Sequence, residues 1–144
     1  MSAKRLDGRI ALVTGASRGI GEAIAHGLAE HGAAVICTSR KVADCAKVAD
    51  AIKAKGGKAS AMTLHLGELA DHDTVLAAIE KEHGRLEILI NNGATNPYFG
   101  PAHETPESAY DKTMDVNVKG PFFLTAKAMP MLMKDGGGSV VNVA

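Results

Sequence analysis

The chain has 144 residues, a length that suits one domain and lets about 70 % of the unfolded surface be buried. It is 46 % hydrophobic and 22 % charged, which excludes wholesale disorder, and sixteen Lys+Arg offset sixteen Asp+Glu. No polybasic run points to nucleic acid or an anionic membrane, no apolar stretch approaches the roughly 18 residues of a membrane span, and no apolar segment follows Met1-Ser2-Ala3-Lys4-Arg5 as in a signal peptide. The expectation is a cytoplasmic protein with neither a nucleic-acid nor a membrane partner.

Short apolar runs alternate with helical stretches along the chain. The runs are Ile10 to Thr14, Ala34 to Thr38, Lys58 to Leu66, Leu86 to Ile90 and Ser139 to Val143. Runs apolar on both faces suit strands of a parallel sheet covered on both sides by helices. Between them, Ile20, Ala23, Ile24 and Leu28 share one helical face. Val42, Cys45, Val48, Ala49 and Ile52 form a second stripe, and Val75, Leu76 and Ile79 a third. Gly32, Gly56-Gly57, Gly84 and Gly136 to Gly138 stand where helices should stop. This recurrence is the βαβ signal, and right-handed crossovers then favour a doubly wound α/β sheet of about five strands, one Rossmann-type domain over residues 1–144.

The stretch from Asn91 to Pro106 breaks the rhythm with Gly93, Pro97, Gly100, Pro101 and Pro106, and reads as a long functional loop. A helical region from about Glu107 to Lys134 follows. Pro121 and Pro130 predict a break near Gly120-Pro121 and a kink at Pro130. Cys37 and Cys45 are not a CxxC pair and read as reduced core thiols. His26, His31, His72 and His83 read as solvated positions on helical polar faces or ends. Met114, Met129, Met131 and Met133 read as helix packing surface. His103, Glu104 and Tyr110 lie near the long loop, but their spacing forms neither a triad nor a metal site.

The most informative motif is Thr14-Gly15-Ala16-Ser17-Arg18-Gly19-Ile20-Gly21, between the first strand and the first helix. Gly15 permits a tight turn. Gly19, lacking a Cβ, lets a pyrophosphate approach the backbone. Gly21 lets the helix pack closely on the sheet. The helix N-terminus offers free N–H groups and a partial positive charge to phosphates. No Lys-Ser/Thr follows the last glycine, so this is not a Walker A loop.

The spacing Gly-x3-Gly-x-Gly resembles the cofactor motif of the short-chain dehydrogenase/reductase family. Asn91-Asn92-Gly93-Ala94 is similar to that family's Asn-Asn-Ala-Gly element, Asp115 to Gly120 to its central-helix motif, and Gly138 to Val143 to its fifth strand. The resemblance runs through the whole chain, in family order. Asn96 to Gly100 and Leu64 to Gly67 look like the branch of carbonyl and retinal reductases. The resemblance implies hydride transfer between a nicotinamide cofactor and a small carbonyl or alcohol substrate.

The second strand ends in Ser39-Arg40-Lys41. An acid at the end of this strand selects NAD through the ribose 2′-OH, whereas a basic residue accommodates a 2′-phosphate. Ser39 stands where the acid would be, and Arg40 and Arg18 are available to a dianion, so the reading is NADP(H). By resemblance, His65 and Leu66 occupy the adenine position where the family carries an acid. Asn91 is expected to brace the backbone, and Asn92, Gly93 and Ala94 to pass close to the cofactor.

The family's chemistry uses a Ser, a Tyr, a Lys four residues after it and a central-helix Asn. The resemblance supplies only the Asn, Asn117, which would support a proton-relay water. Tyr98 and Tyr110 are followed four residues on by Ala102 and Met114, and Ser139 opens the fifth strand. The expectation is therefore the N-terminal cofactor-binding portion of a longer enzyme, inactive by itself. The alternative is a non-catalytic dinucleotide-binding or oligomerisation module. A fifth strand at a sheet edge and an uncovered surface around Phe122-Phe123-Leu124 and Met129 to Met133 would favour a homo-oligomer.

Overall fold

A computed structural model describes residues 4–144. Five strands form one parallel sheet in the order β3-β2-β1-β4-β5. They are β1 Ile10–Thr14, β2 Ala34–Ser39, β3 Lys58–Thr63, β4 Ile88–Asn91 and β5 Ser139–Asn142. The connecting helices are α1 Gly19–Glu30, α2 Val42–Ala54, α3 Leu69–His83, α4 Glu107–Met114 and α5 Gly120–Leu132. The order reverses at β1, between β2 on one side and β4 on the other. Such a switch point opens a crevice at the carboxyl ends of the strands.

Every residue of β1 is buried, because successive side chains feed opposite layers. Ile10 and Leu12 join Ile36, Leu89 and the apolar stripes of α3 and α5. Ala11 and Val13 join Val35, Cys37 and the stripes of α1 and α2. Both thiols are buried and free, and burial pushes Cys37 up to about 12 and Cys45 in the same direction.

Several elements differ from their sequence reading for local reasons. The third strand ends at Thr63, and Leu64 to Leu66 turn out of the sheet after the Leu64 N–H donates to the Ser39 carbonyl (2.9 Å). The buried side of α1 is Gly21, Ala25 and Ala29, while Ile20 is 63 % exposed. Small residues face the sheet here because the helix lies against the backbone of the glycine turn, and Ile24 and Leu28 only flank it. The expected break at Gly120-Pro121 does not occur: a wide π-helical turn over Asp115–Lys119 joins α4 to α5 without interruption, with helical backbone angles at Lys119 and Gly120. Pro121 has no N–H for the carbonyl four residues before it, and the wide turn absorbs that loss. Helix α5 runs past Pro130 to Leu132.

One expectation about a surface residue is corrected: His72 is fully buried rather than solvated. Of the methionines, Met131 packs into the core, while Met114, Met129 and Met133 are exposed. Strand β5 forms a sheet edge and is exposed along its length, and Phe122 and Met133 are 66 % and 70 % exposed.

Candidate functional site

A cleft of about 910 Å³ lies beyond the carboxyl ends of the inner strands. Its walls come from the β1–α1 turn, the end of β2, the segment after β3, the segment after β4, and α4 with the start of the π turn. Of the residues singled out in the sequence, Thr14, Gly15, Ser17, Arg18, Gly19, Ser39, Arg40, His65, Leu66, Asn92, Gly93 and Ala94 line it. Ile20, Gly21 and Asn117 do not.

The turn is built around three glycines with different tasks. Gly15 has φ +62°, and a Cβ there would lie 2.7 Å from the Gly93 Cα. A Cβ on Gly21 would lie 2.1 Å from the Gly15 carbonyl oxygen, so this glycine serves helix-to-turn packing rather than the cleft. Gly19 has φ +57° and nothing within 4 Å of its missing Cβ, so its backbone stands open to the cleft. No side chain caps α1. Its first-turn N–H groups are therefore available to an anion.

Thr14 ties the turn to the opposite wall. Its Oγ1 accepts the N–H groups of Asn92 (3.0 Å) and Gly93 (2.9 Å) and donates to the Ile90 carbonyl (3.3 Å). Asn92 Nδ2 reaches back to the carbonyls of Thr14 (3.2 Å) and Gly15 (3.1 Å). The bracing role expected of Asn91 thus belongs to Asn92. Asn91 instead donates to Thr125 Oγ1 (3.0 Å) and Asn142 Oδ1 (2.9 Å), linking β4 to α5 and β5. The side chains of a strand alternate between faces, so these adjacent asparagines could not share one task.

At the end of β2, Ser39 Oγ donates to the Lys41 carbonyl (2.9 Å) and holds the turn that presents Arg40. Arg18 and Arg40 are exposed, and neither pairs with a carboxylate among the described residues. Both guanidiniums line the cleft without an anionic partner, and groups of this kind can pair with a phosphate dianion.

The segment after β3 carries contacts that the sequence did not disclose. Asp71, in the first turn of α3, accepts both the His65 backbone N–H (3.0 Å) and His65 Nδ1–H (2.8 Å) on Oδ2. Those bonds hold its carboxyl below the ordinary carboxylate value. The next residue, His72, donates from Nε2 to the Leu66 carbonyl (2.8 Å), with Nδ1 buried and unpartnered. Burial pushes His72 below its ordinary value. Two consecutive helix residues therefore pin two consecutive cleft residues. Leu66 in turn packs under the backbone, because a Cβ on Gly93 would meet its Cδ1 at 2.7 Å and one on Gly120 its carbonyl at 2.4 Å.

Asn117 lies in the π turn. Its Oδ1 accepts the Thr95 N–H (2.8 Å) and its Nδ2 donates to the Thr95 carbonyl (2.8 Å), so both ends of the amide hold the loop after β4. His103 and Glu104 are exposed and lie outside the cleft, as does Tyr110. Among the described residues no cluster could hold a metal ion, and no helix is long and apolar enough to cross a membrane.

Comparison with known proteins agrees with this geometry. The family model described as short chain dehydrogenase matches residues 9–144. The bovine Dehydrogenase/reductase SDR family member 4 is 40 % identical over 139 residues, which cover 96 % of this chain and 50 % of the relative. An uncharacterized oxidoreductase of Thermotoga maritima is 40 % identical over 138 residues, covering 95 % and 53 % respectively. A solved metagenomic short-chain oxidoreductase in complex with NADP superposes with a TM-score of 0.92 at 34 % identity, covering 96 % of this chain and 63 % of that one. The chain spans about half the length of the curated relatives it matches.

Proposed function

The chain belongs to the short-chain dehydrogenase family, and from that premise we propose that it forms the NADP(H)-binding part of an oxidoreductase acting on a small carbonyl or alcohol. The observation that carries this reading is that Arg18, Ser39 and Arg40 all line the cleft, with neither arginine paired to a carboxylate among the described residues. A carboxylate at the Ser39 position would repel a 2′-phosphate, and a serine does not.

The residues present fit such a dinucleotide. The open backbone at Gly19 and the uncapped start of α1 would take the pyrophosphate. Arg40 and Arg18 would take the 2′-phosphate, and Gly93 and Ala94 form the floor beyond it. When bound, the cofactor supplies a hydride for exchange with the substrate carbon. The chain's own part is to orient that group. Thr14 and Asn92 lock the floor to the glycine turn, and Asn117 fixes the Thr95 backbone. The family's proton-transferring Tyr, its Lys and its Ser have no counterparts among these 144 residues. In this reading the substrate pocket and the proton transfer lie outside them.

A second reading is a non-catalytic dinucleotide-binding module, for which the exposed β5 edge and α5 surface would serve self-association. Calorimetric titration with NADPH and NADH tests the shared premise. NADPH is expected to bind at least about tenfold more tightly, a difference of about 1.4 kcal/mol. Equal affinities would refute the NADP assignment. Turnover of a carbonyl substrate by the chain alone would refute the division of labour.

A further inference from the structure

The His65–Asp71 pair defines the hydrogen-bonding sense of one cleft wall. An ionised carboxylate can only accept hydrogen bonds. Asp71 Oδ2 takes the His65 backbone N–H and lies 2.8 Å from Nδ1, and Asp71 is held in its ionised form by these bonds. The His65 proton therefore sits on Nδ1. In the neutral ring Nε2 then carries a lone pair, and it has no partner among the described residues. The side chain is 47 % exposed and His65 lines the cleft, so this lone pair is open to an incoming donor.

The ligand's geometry places a purine base at this wall, and this step rests on the NADP(H) reading above. If the pyrophosphate lies at Gly19 and the 2′-phosphate at Arg40, the ribose joining them sits beyond the ends of β1 and β2. The base on that ribose must then extend away from β1. The next strand outward is β3, whose Thr63 is in register with Ser39, and His65 and Leu66 follow it directly. Leu66 supplies an apolar surface and His65 the polar atom beside it.

We propose that Asp71 is a positioning residue that fixes His65 in its Nδ1–H form, so that Nε2 accepts a hydrogen bond from the exocyclic amino group of the cofactor's adenine. The wall then discriminates a 6-aminopurine from a 6-oxopurine, whose oxygen would face the Nε2 lone pair. A carboxylate on α3 thus gives a histidine the acceptor character of an acid without placing an acid in the cleft.

The test pairs two readouts. Nitrogen-15 spectra of the imidazole rings are expected to show His65 with its proton on Nδ1 in the unaltered protein and to show a shift toward the Nε2–H form in Asp71→Ala. An Nε2–H form in the unaltered protein would overturn the proposal. Calorimetry then compares NADPH with its hypoxanthine analogue. The unaltered protein is expected to prefer the adenine form by about three- to tenfold, the range of one uncharged hydrogen bond. His65→Phe is expected to bind the two forms equally. Equal binding of both by the unaltered protein would overturn this inference and leave the NADP(H) reading standing. Binding of neither would overturn both.

Discussion

Substituting alanine for Gly21 and, separately, for Gly27 applies one chemical change twice to helix α1 with opposite expected results. Alanine favours a helix over glycine by about 1 kcal/mol at either position. At Gly27 nothing lies within 4 Å of the added methyl, so that gain should appear as a stabilisation of up to about 1 kcal/mol. At Gly21 the methyl would lie 2.1 Å from the Gly15 oxygen and 2.6 Å from Asn92 Nδ2. Overpacking of this kind costs about 1–3 kcal/mol, since backbone rather than a flexible side chain must move. Displacing Asn92 from the Gly15 carbonyl adds about 1 kcal/mol. The two variants should therefore differ by about 2–4 kcal/mol. For a chain of this size that corresponds to about 6–15 °C in Tm. Thermal unfolding followed by circular dichroism, with urea midpoints as a check, measures the difference. A Gly21→Ala protein as stable as Gly27→Ala would refute the claim that α1 is seated on the turn through Gly21.

Three further outcomes are expected. Ser39→Asp with Arg40→Ala should lower NADPH affinity by at least about tenfold and leave or improve NADH binding, as read by calorimetry; a parallel loss of both would show that this wall does not read the 2′-phosphate. Thr14→Val should leave the Asn92 and Gly93 N–H groups without their acceptor and cost about 2–4 kcal/mol in urea unfolding; a cost under about 1 kcal/mol would mean that water replaces the hydroxyl. Burial holds His72 neutral in the fold, so its contribution is fully present above the ordinary value of 6.5 and is lost as pH falls below it, when the unfolded chain takes up a proton that the folded chain resists. His72→Gln should remove that part of the acid sensitivity, with the difference from the unaltered protein changing by up to about 1.4 kcal/mol per pH unit below 6.5; Asp71, whose lowered value lies in the carboxylate range, titrates too low to mimic it, and parallel curves would refute the assignment.

The sequence by itself determined the layers and the location of the site. Runs such as Ile10 to Thr14 are apolar at every position, and only a strand covered on both faces buries all of them. The glycine turn was legible because each of its glycines answers a local requirement: a positive φ at Gly15 and Gly19, and a close approach at Gly21. The place of Ser39 and Arg40 at the cleft was legible because it follows from one position at a strand end. Tertiary structure decided the rest, wherever the partner lies across the fold. Asp71 and His72 look like ordinary first-turn helix residues, and only the return of α3 over the end of β3 brings them to His65 and Leu66. Ile20 looks like a core position by helical spacing, yet the close seating of α1 turns the small face of Gly21, Ala25 and Ala29 inward and leaves Ile20 outside. The exchange of tasks between Asn91 and Asn92 has the same origin. Which of two adjacent identical residues faces the turn is set by the register of β4 against β1, and the pleat of the strand, rather than residue type, settles it.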